Sequence, residues 1–284
     1  MLLEKIWLFY AHTLIISQIC YNNTMADFIF IRKSRDRLST VLHFLLNLAL
    51  GVGSVFITYL TGSWIIGILL VVLSKWRIFA VRARYIFPNL KANLVDLIVG
   101  LSIVLITYAL GSILTPAHFV LAAAYSIWLI FIKPGSSNFM VNLQALMAVF
   151  LGSTAVTLLF ATINPALIVA CEFIIGYAAA RHIITGSDET RYRFLALSAA
   201  LLTAEISLLL ATWLIRYSFG PTGIIIPQSA IILTLFHFAL ISLYRSIAKH
   251  DGKVKAKEVA APVIFSVLTI ATIFLFFSQP IFNI

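Results

Sequence analysis

Long runs of apolar residues, with no alternation between polar and apolar positions, decide what this chain can fold into. A helix that crosses a bilayer needs roughly 20 such residues, and lipid requires every backbone amide to be paired within its own segment or a closed barrel. Because 62% of the residues are hydrophobic and only 11% are charged, the apolar surplus is too large for one aqueous core. The sequence therefore predicts an all-α, polytopic integral membrane protein built as a helical bundle.

Residues that interrupt helices divide the apolar sequence into about nine predicted transmembrane helices, with eight to ten as the range. Pro116, the pair Pro134-Gly135 and the pair Asn164-Pro165 are examples of these interruptions. Together the spans predict a single transmembrane domain over residues 39–284. They are predicted at roughly 39–58, 60–74, 93–113, 117–132, 139–160, 165–184, 194–215, 223–244 and 259–279.

Basic residues are concentrated in alternate connections between the predicted spans. They cluster in residues 32–37, 75–91 and 245–257, whereas the opposite connections hold only Arg216. The positive-inside rule then places residues 21–38 in the cytoplasm and the C-terminus outside, with the plasma (inner) membrane as the expected location. Topology and contact with anionic headgroups account for the net charge of +10, so no nucleic-acid partner is expected.

The first 38 residues are interpreted as an N-terminal leader. Residues 6–20 are apolar but only 15 long, and no small-residue cleavage site follows them. This segment is predicted to be either a tenth span or a surface helix. A third interpretation is that Met25 is the true start, which would leave a short cytoplasmic leader.

Two glutamates, Glu172 and Glu205, fall near the middle of the bilayer in consecutive predicted spans. An ionisable side chain at such a depth costs roughly 2.5–3.5 kcal/mol on insertion scales, so it is a candidate functional group. Neither glutamate has a cationic residue at similar depth in its own span. Because spans joined by a short loop usually pack together, we expect the two carboxyl groups to be neighbours that share a proton.

Further polar residues lie in the half of the membrane that is predicted to face the cytoplasm. His43, Asp96 and His237 could relay a proton between the glutamates and the cytoplasm, and they complete the candidate substrate or proton site. The competing interpretation is that such side chains only pack helices together through hydrogen bonds. For Asp96, proximity to Lys91 and to a helix N-terminus favours a structural role.

The connection 75–91 mixes five cations with aromatic and aliphatic residues, which is typical of a segment lying on anionic headgroups. If this segment has a function of its own, it would be to bind the phosphate of a lipid-linked or phosphorylated substrate. A simpler interpretation is an anchor that only sets the topology. The predicted anionic lipid or phosphate contacts are Lys75, Arg77, Arg82 and Arg84.

The chain contains none of the common nucleotide, zinc-protease or serine-hydrolase motifs, so no catalytic residue, metal or cofactor is predicted. The leading hypothesis is a transporter of a small molecule or ion, coupled to protons, rather than an enzyme. One alternative is a membrane-embedded enzyme acting on a lipid or lipid-linked phosphate, with His43, Asp96 and His237 as acid–base groups. Another is a non-catalytic subunit of a membrane assembly. Substrate, coupling ion and oligomeric state are left open.

Overall fold

The computed structural model describes residues 39–160, 164–185, 192–212, 215–250 and 252–277. The leader, the apolar segment 6–20 and the alternative start at Met25 lie outside these residues. Within them the regular secondary structure is helical apart from one short β-hairpin, so the prediction of an all-α fold is confirmed. The chain divides into two units, 1–47 and 48–284, whose boundary falls inside the first described helix.

The described chain contains ten α-helices, two one-turn 3-10 helices (Trp76–Ile78 and Gly220–Thr222) and two short strands. The helices are α1 (Ser39–Thr61), α2 (Trp64–Ser74), α3 (Ala83–Ala92), α4 (Leu94–Ala109), α5 (Pro116–Ile127, continued by a π-helical turn Trp128–Ile132), α6 (Asn138–Phe160), α7 (Pro165–Ile184), α8 (Tyr192–Ala211), α9 (Gln228–Lys249) and α10 (Ala256–Phe276). The strands are β1 (Arg216–Ser218) and β2 (Ile225–Pro227), which pair antiparallel between α8 and α9.

Six of these helices, α1 and α6 to α10, are long and apolar enough to cross a membrane, which indicates an integral membrane protein. The predicted count of about nine is not confirmed. Two predicted spans, 60–74 and 117–132, are the shorter helices Trp64–Ser74 and Pro116–Ile132. At 1.5 Å per residue α2 is only ~16 Å long, about half of a ~30 Å hydrocarbon core. A seventh span is obtained if α3 and α4 count as one bent helix.

Helix starts follow the interruptions in the sequence. Asn164 caps α7 by accepting a hydrogen bond from the Ala166 amide at 2.8 Å, and Pro165 occupies the first helical position, where no amide is needed. The start of α5 is a capping box in which Thr115 and His118 satisfy each other's free groups. The predicted span 223–244 instead begins at Gln228, because the residues before it form the hairpin.

Helix α6 is at the centre of the bundle and packs against α4, α7 and α9. Small residues allow the close approach that replaces the hydrophobic effect in lipid. A Cβ on Gly152 of α6 would lie 2.9 Å from Ile175 Cδ1 of α7, and a Cβ on Gly176 would lie 2.5 Å from Thr203 Oγ1 of α8. These contacts fix α6, α7 and α8 side by side, while α10 packs against α9.

Helix α3 meets α4 at a 70° bend and differs from the other helices in composition. It has no buried residue, and its polar face carries Arg84 and Lys91. If α4 runs across the membrane, a helix inclined to it by 70° lies near the membrane plane, as amphipathic interfacial helices do. The cationic connection 75–91 therefore folds largely as an exposed surface helix.

Candidate functional site

Glu172 lies in the middle of α7 and is completely buried, with 0% of its surface exposed. Its Oε2 accepts a hydrogen bond of 2.9 Å from Ser153 Oγ on α6. Its Oε1 has no hydrogen-bond partner in the described part of the chain. Because Oε2 is held by the hydroxyl, Oε1 is the oxygen that would carry a proton or meet a ligand.

His237 is the second buried ionisable residue of this region and extends from α9, with 1% of its surface exposed. Its Nδ1 lies 3.0 Å from the Leu233 carbonyl. A carbonyl can only accept, so Nδ1 carries the hydrogen and donates it. The Gly176 carbonyl of α7 lies close to the ring, and Nε2 has no hydrogen-bond partner within the described chain. In the neutral imidazole Nε2 is thus an acceptor without a donor, buried beside α7.

Polar contacts tie α6 to its neighbours at two further levels. Thr157 Oγ1 on α6 lies 3.0 Å from Ser229 Oγ on α9. Near the other end of α6, Gln144 Oε1 lies 2.7 Å from His182 Nε2 on α7. The interface of α6, α7 and α9 is therefore polar along its length, with Glu172 near its middle.

Glu205, the predicted partner of Glu172, lies on the exposed face of α8, so the predicted pairing of the two glutamates is wrong. Its neighbours Thr203 and Ser207 are buried, and Thr203 faces Gly176 of α7. Two residues along a helix correspond to ~200° of rotation, which turns position 205 away from α7. The predicted depth of Glu205 gave no information on which face of the helix it occupies.

Asp96 is the centre of a separate charged cluster at the start of α4. Lys75 and Lys133 both form ion pairs with Oδ2, the latter at 2.9 Å, and Trp128 Nε1 donates to Oδ1 at 3.2 Å. Lys91, the cation expected from the sequence, is not among these partners of Asp96. This cluster joins the end of α2, the start of α4 and the end of α5.

Lys75 is nearly buried, with 6% of its surface exposed. Burial lowers the pKa of its ammonium group below the ordinary lysine value, and the Asp96 carboxylate opposes that shift. The inclusion of Lys75 among the headgroup contacts is therefore wrong, since its charge is directed to Asp96. Arg77, Arg82 and Arg84 are exposed, and Arg84 lies over the Tyr85 ring at 4.6 Å from its centroid.

The remaining predicted site residue, His43, is exposed on α1. Sequence reasoning missed Ser153, whose spacing gives no sign that it faces Glu172. It also missed two buried groups of α5, His118 Nε2 and Tyr125 OH, which have no hydrogen-bond partner in the described ranges. The capping pattern Thr-Pro-x-His was the available signal for His118, because that arrangement fixes its Nδ1 as an acceptor 3.2 Å from the Thr115 amide.

Among the residues that the structure describes, no group of three or more His, Cys, Asp or Glu side chains is placed to hold a metal ion. No protein family model, curated protein or solved structure matches the chain.

Proposed function

We propose that this chain is a membrane transporter of a small solute or ion, and that Glu172 carries the exchangeable proton or cation. The observation that carries this proposal is a fully buried carboxyl group with one oxygen held by Ser153 and the other without a partner. Intramembrane ionisable groups with no structural pairing are by default candidates for transport pathways.

The charge of Glu172 depends on what lies beside its carboxyl group. A carboxylate buried without a counter-ion is strongly unfavourable, so the group is neutral unless a cation is beside it. Ser153 is a neutral donor, and no lysine or arginine pairs with Glu172 in the described chain. A carboxyl group that must hold either a proton or a cation can couple the movement of one to the other.

His237 supports this function as a second proton-accepting group. It extends from α9 toward α7, the helix of Glu172, and its Nε2 has a free lone pair if the ring is neutral. A rearrangement of α7 against α9 would change the surroundings of both residues together. We propose that His237 exchanges protons on the path to Glu172, whereas Glu205 has no part in it.

The structure gives less support to the alternative function, a membrane-embedded enzyme that uses acid–base catalysis, than to a transporter. Asp96 was one of that enzyme's three candidate acid–base groups, with His43 and His237, yet both oxygens of Asp96 are engaged, by two lysines and an indole N–H. A carboxylate held in this way is a poor proton acceptor, since ion pairing and hydrogen bonding stabilise its charged form. The Asp96 cluster is better described as a connection between helices.

The test is proton movement across liposomes that contain the purified full chain. A pH-sensitive dye inside the vesicles would report proton flux while a panel of external cations and small metabolites is added one at a time. We expect at least one solute to drive proton flux with the unmodified protein and Glu172→Gln to abolish that flux. Glutamine keeps the volume and accepts the Ser153 hydrogen bond but cannot exchange a proton.

Glu205→Gln is the matched control, because it makes the same change on the adjacent helix at an exposed position. It should retain the flux. Loss of flux in both variants, or full flux in Glu172→Gln, would contradict the assignment of Glu172.

A further inference from the structure

A cleft of about 190 Å³ opens where the α3–α4 bend meets the end of α7. It is separate from Glu172, which is nine residues, or ~13 Å along the helix, from Arg181 at this end of α7. The cleft is lined by Lys91, Ala92 and Val95 on one side and by Ala178, Arg181, His182 and Thr185 on the other.

The cleft contains two cations and no carboxylate among its lining residues. The Lys91 ammonium group has no ion-pair or hydrogen-bond partner among the described residues. Arg181 uses Nη1 to donate to the Lys91 carbonyl, which leaves its remaining N–H groups available. Two cations from different helices therefore face one small space, and neither pairs with a carboxylate in the part of the chain that the structure describes.

Helix ends at this position would ordinarily repel an anion, because α3 and α7 both end here and exposed carbonyls are negative. In this structure two of these carbonyls, those of Lys91 and Arg181, already accept hydrogen bonds. Thr185 donates to the Arg181 carbonyl through both its amide, at 2.9 Å, and its hydroxyl, at 2.8 Å. Arg181 in turn covers the Lys91 carbonyl. These two carbonyls therefore oppose the positive side chains less than free carbonyls at the same positions would.

His182 is a further polar side chain of the cleft, and Gln144 fixes the orientation of its ring. The Gln144 amide nitrogen donates to the carbonyls of Ile132 and Gly135, at 2.6 and 3.0 Å, so its oxygen is the acceptor. His182 Nε2 must then donate to that oxygen across 2.7 Å. The other ring nitrogen, Nδ1, can donate to a phosphate oxygen only when the ring carries a proton, so the cationic contacts come from Lys91 and Arg181.

The position of the cleft indicates where its ligand comes from. It lies at the C-terminal end of α3, the exposed amphipathic helix inclined by 70° to α4. Interfacial helices of this kind lie at the level of the lipid headgroups. A ligand in the cleft is thus within reach of the phosphate groups of the membrane.

We propose that this cleft binds the phosphate group of an anionic ligand, supplied by a lipid headgroup, between Lys91 and Arg181. Arginine and lysine are the side chains that bind phosphate oxygens. This site is distinct from the proton site at Glu172 and from the predicted contacts Arg77, Arg82 and Arg84.

The experiment is native mass spectrometry of the full chain during titration with phosphatidylglycerol or with phosphatidylcholine. We expect tighter binding of phosphatidylglycerol, and a loss of roughly fivefold in affinity for each cation removed by Lys91→Gln or Arg181→Gln. The control is Lys253→Gln with Lys257→Gln, which removes two exposed cations outside the cleft. Arg181→Lys keeps the charge and should retain most of the affinity.

Two further arms separate the possible outcomes. Inorganic phosphate and glycerol phosphate are added as competitors, and displacement of the lipid at low concentration would assign the cleft to a soluble phosphate instead of a headgroup. Lys91→Gln is the variant not expected to disturb folding, because the side chain of Lys91, unlike that of Arg181, makes no described contact. If the cleft variants lose no more affinity than the control pair, the proposal is wrong.

Discussion

Ser153 on α6 and Glu172 on α7 are joined by a 2.9 Å hydrogen bond that satisfies only one of the two carboxyl oxygens. The bond links neighbouring helices at the buried centre of the bundle, where Glu172 has no exposed surface. It makes Glu172 both a packing group, through Oε2, and an available proton or cation site, through Oε1. These two roles can be separated by substitution.

Removal of the hydroxyl should weaken the α6–α7 contact. We expect Ser153→Ala to lower the free energy of unfolding by roughly 1 kcal/mol. In a Glu172→Leu background, where no oxygen remains to accept the bond, the same substitution should have a clearly smaller effect. Unfolding by SDS from mild detergent, followed by tryptophan fluorescence, measures both values. Equal losses in the two backgrounds would mean that the bond contributes nothing to stability.

A methyl group at Gly176 should be poorly tolerated. Its Cβ would lie 2.5 Å from Thr203 Oγ1, so α7 and α8 must separate, at a cost of roughly 1–3 kcal/mol. Thr203→Ala should recover part of that loss. Gly53→Ala is the control, because its nearest neighbour is Ile57 Cδ1 at 3.9 Å. The control should leave stability unchanged or raise it by up to about 1 kcal/mol through helix propensity, and thermal unfolding in detergent distinguishes the two substitutions.

The charged cluster around Asp96 predicts which of its substitutions should lower the free energy of unfolding most. Asp96→Ala leaves the Lys75 charge buried and should lower the free energy of unfolding by about 3 kcal/mol. Lys133→Gln should lower it by less than about 1 kcal/mol, because the Lys133 side chain is 42% exposed. Combining Asp96→Leu with Lys75→Met removes both buried charges and should recover most of the loss. A larger effect at Lys133 than at Asp96, measured by the same unfolding assay, would contradict the geometry.

Sidedness can be tested with single cysteines after replacement of Cys20 and Cys171. We expect Lys253→Cys, on the exposed connection between α9 and α10, to react with a membrane-impermeant maleimide only from the cytoplasm. Ser218→Cys, exposed in the hairpin between α8 and α9, should react only from outside. The opposite pattern in intact cells would reverse the predicted orientation and place the phosphate cleft on the outer face.

Hydrophobic runs and helix interruptions were sufficient to predict the helical class and the position of most helices. Pro165 after Asn164, for example, marks the start of α7 as expected. The predicted count of about nine spans is not confirmed, because an apolar run of 11 residues, such as Trp64–Ser74, satisfies the composition of a span but not its length. Hydropathy also could not show the bend between α3 and α4.

The candidate site was predicted only in part. The burial of Glu172 followed from its apolar surroundings, but its partner did not, because which helix faces it is a property of packing. Glu205 shares its depth and still faces outward. The partners of Asp96 come from segments 21 and 32 or more positions away. Helical spacing within one segment carries no information about such contacts.

The buried ion pair of Lys75 with Asp96 constrains how the chain can enter the membrane during synthesis. Lys75 emerges from the ribosome 21 residues before Asp96, and a lysine buried without its carboxylate partner is strongly disfavoured. The short helix α2 is therefore expected to stay at the membrane surface until α4 has been synthesised. Its final position also requires the end of α5, which supplies Lys133. The segment from α2 to α5 is thus expected to insert as one cooperative step rather than helix by helix.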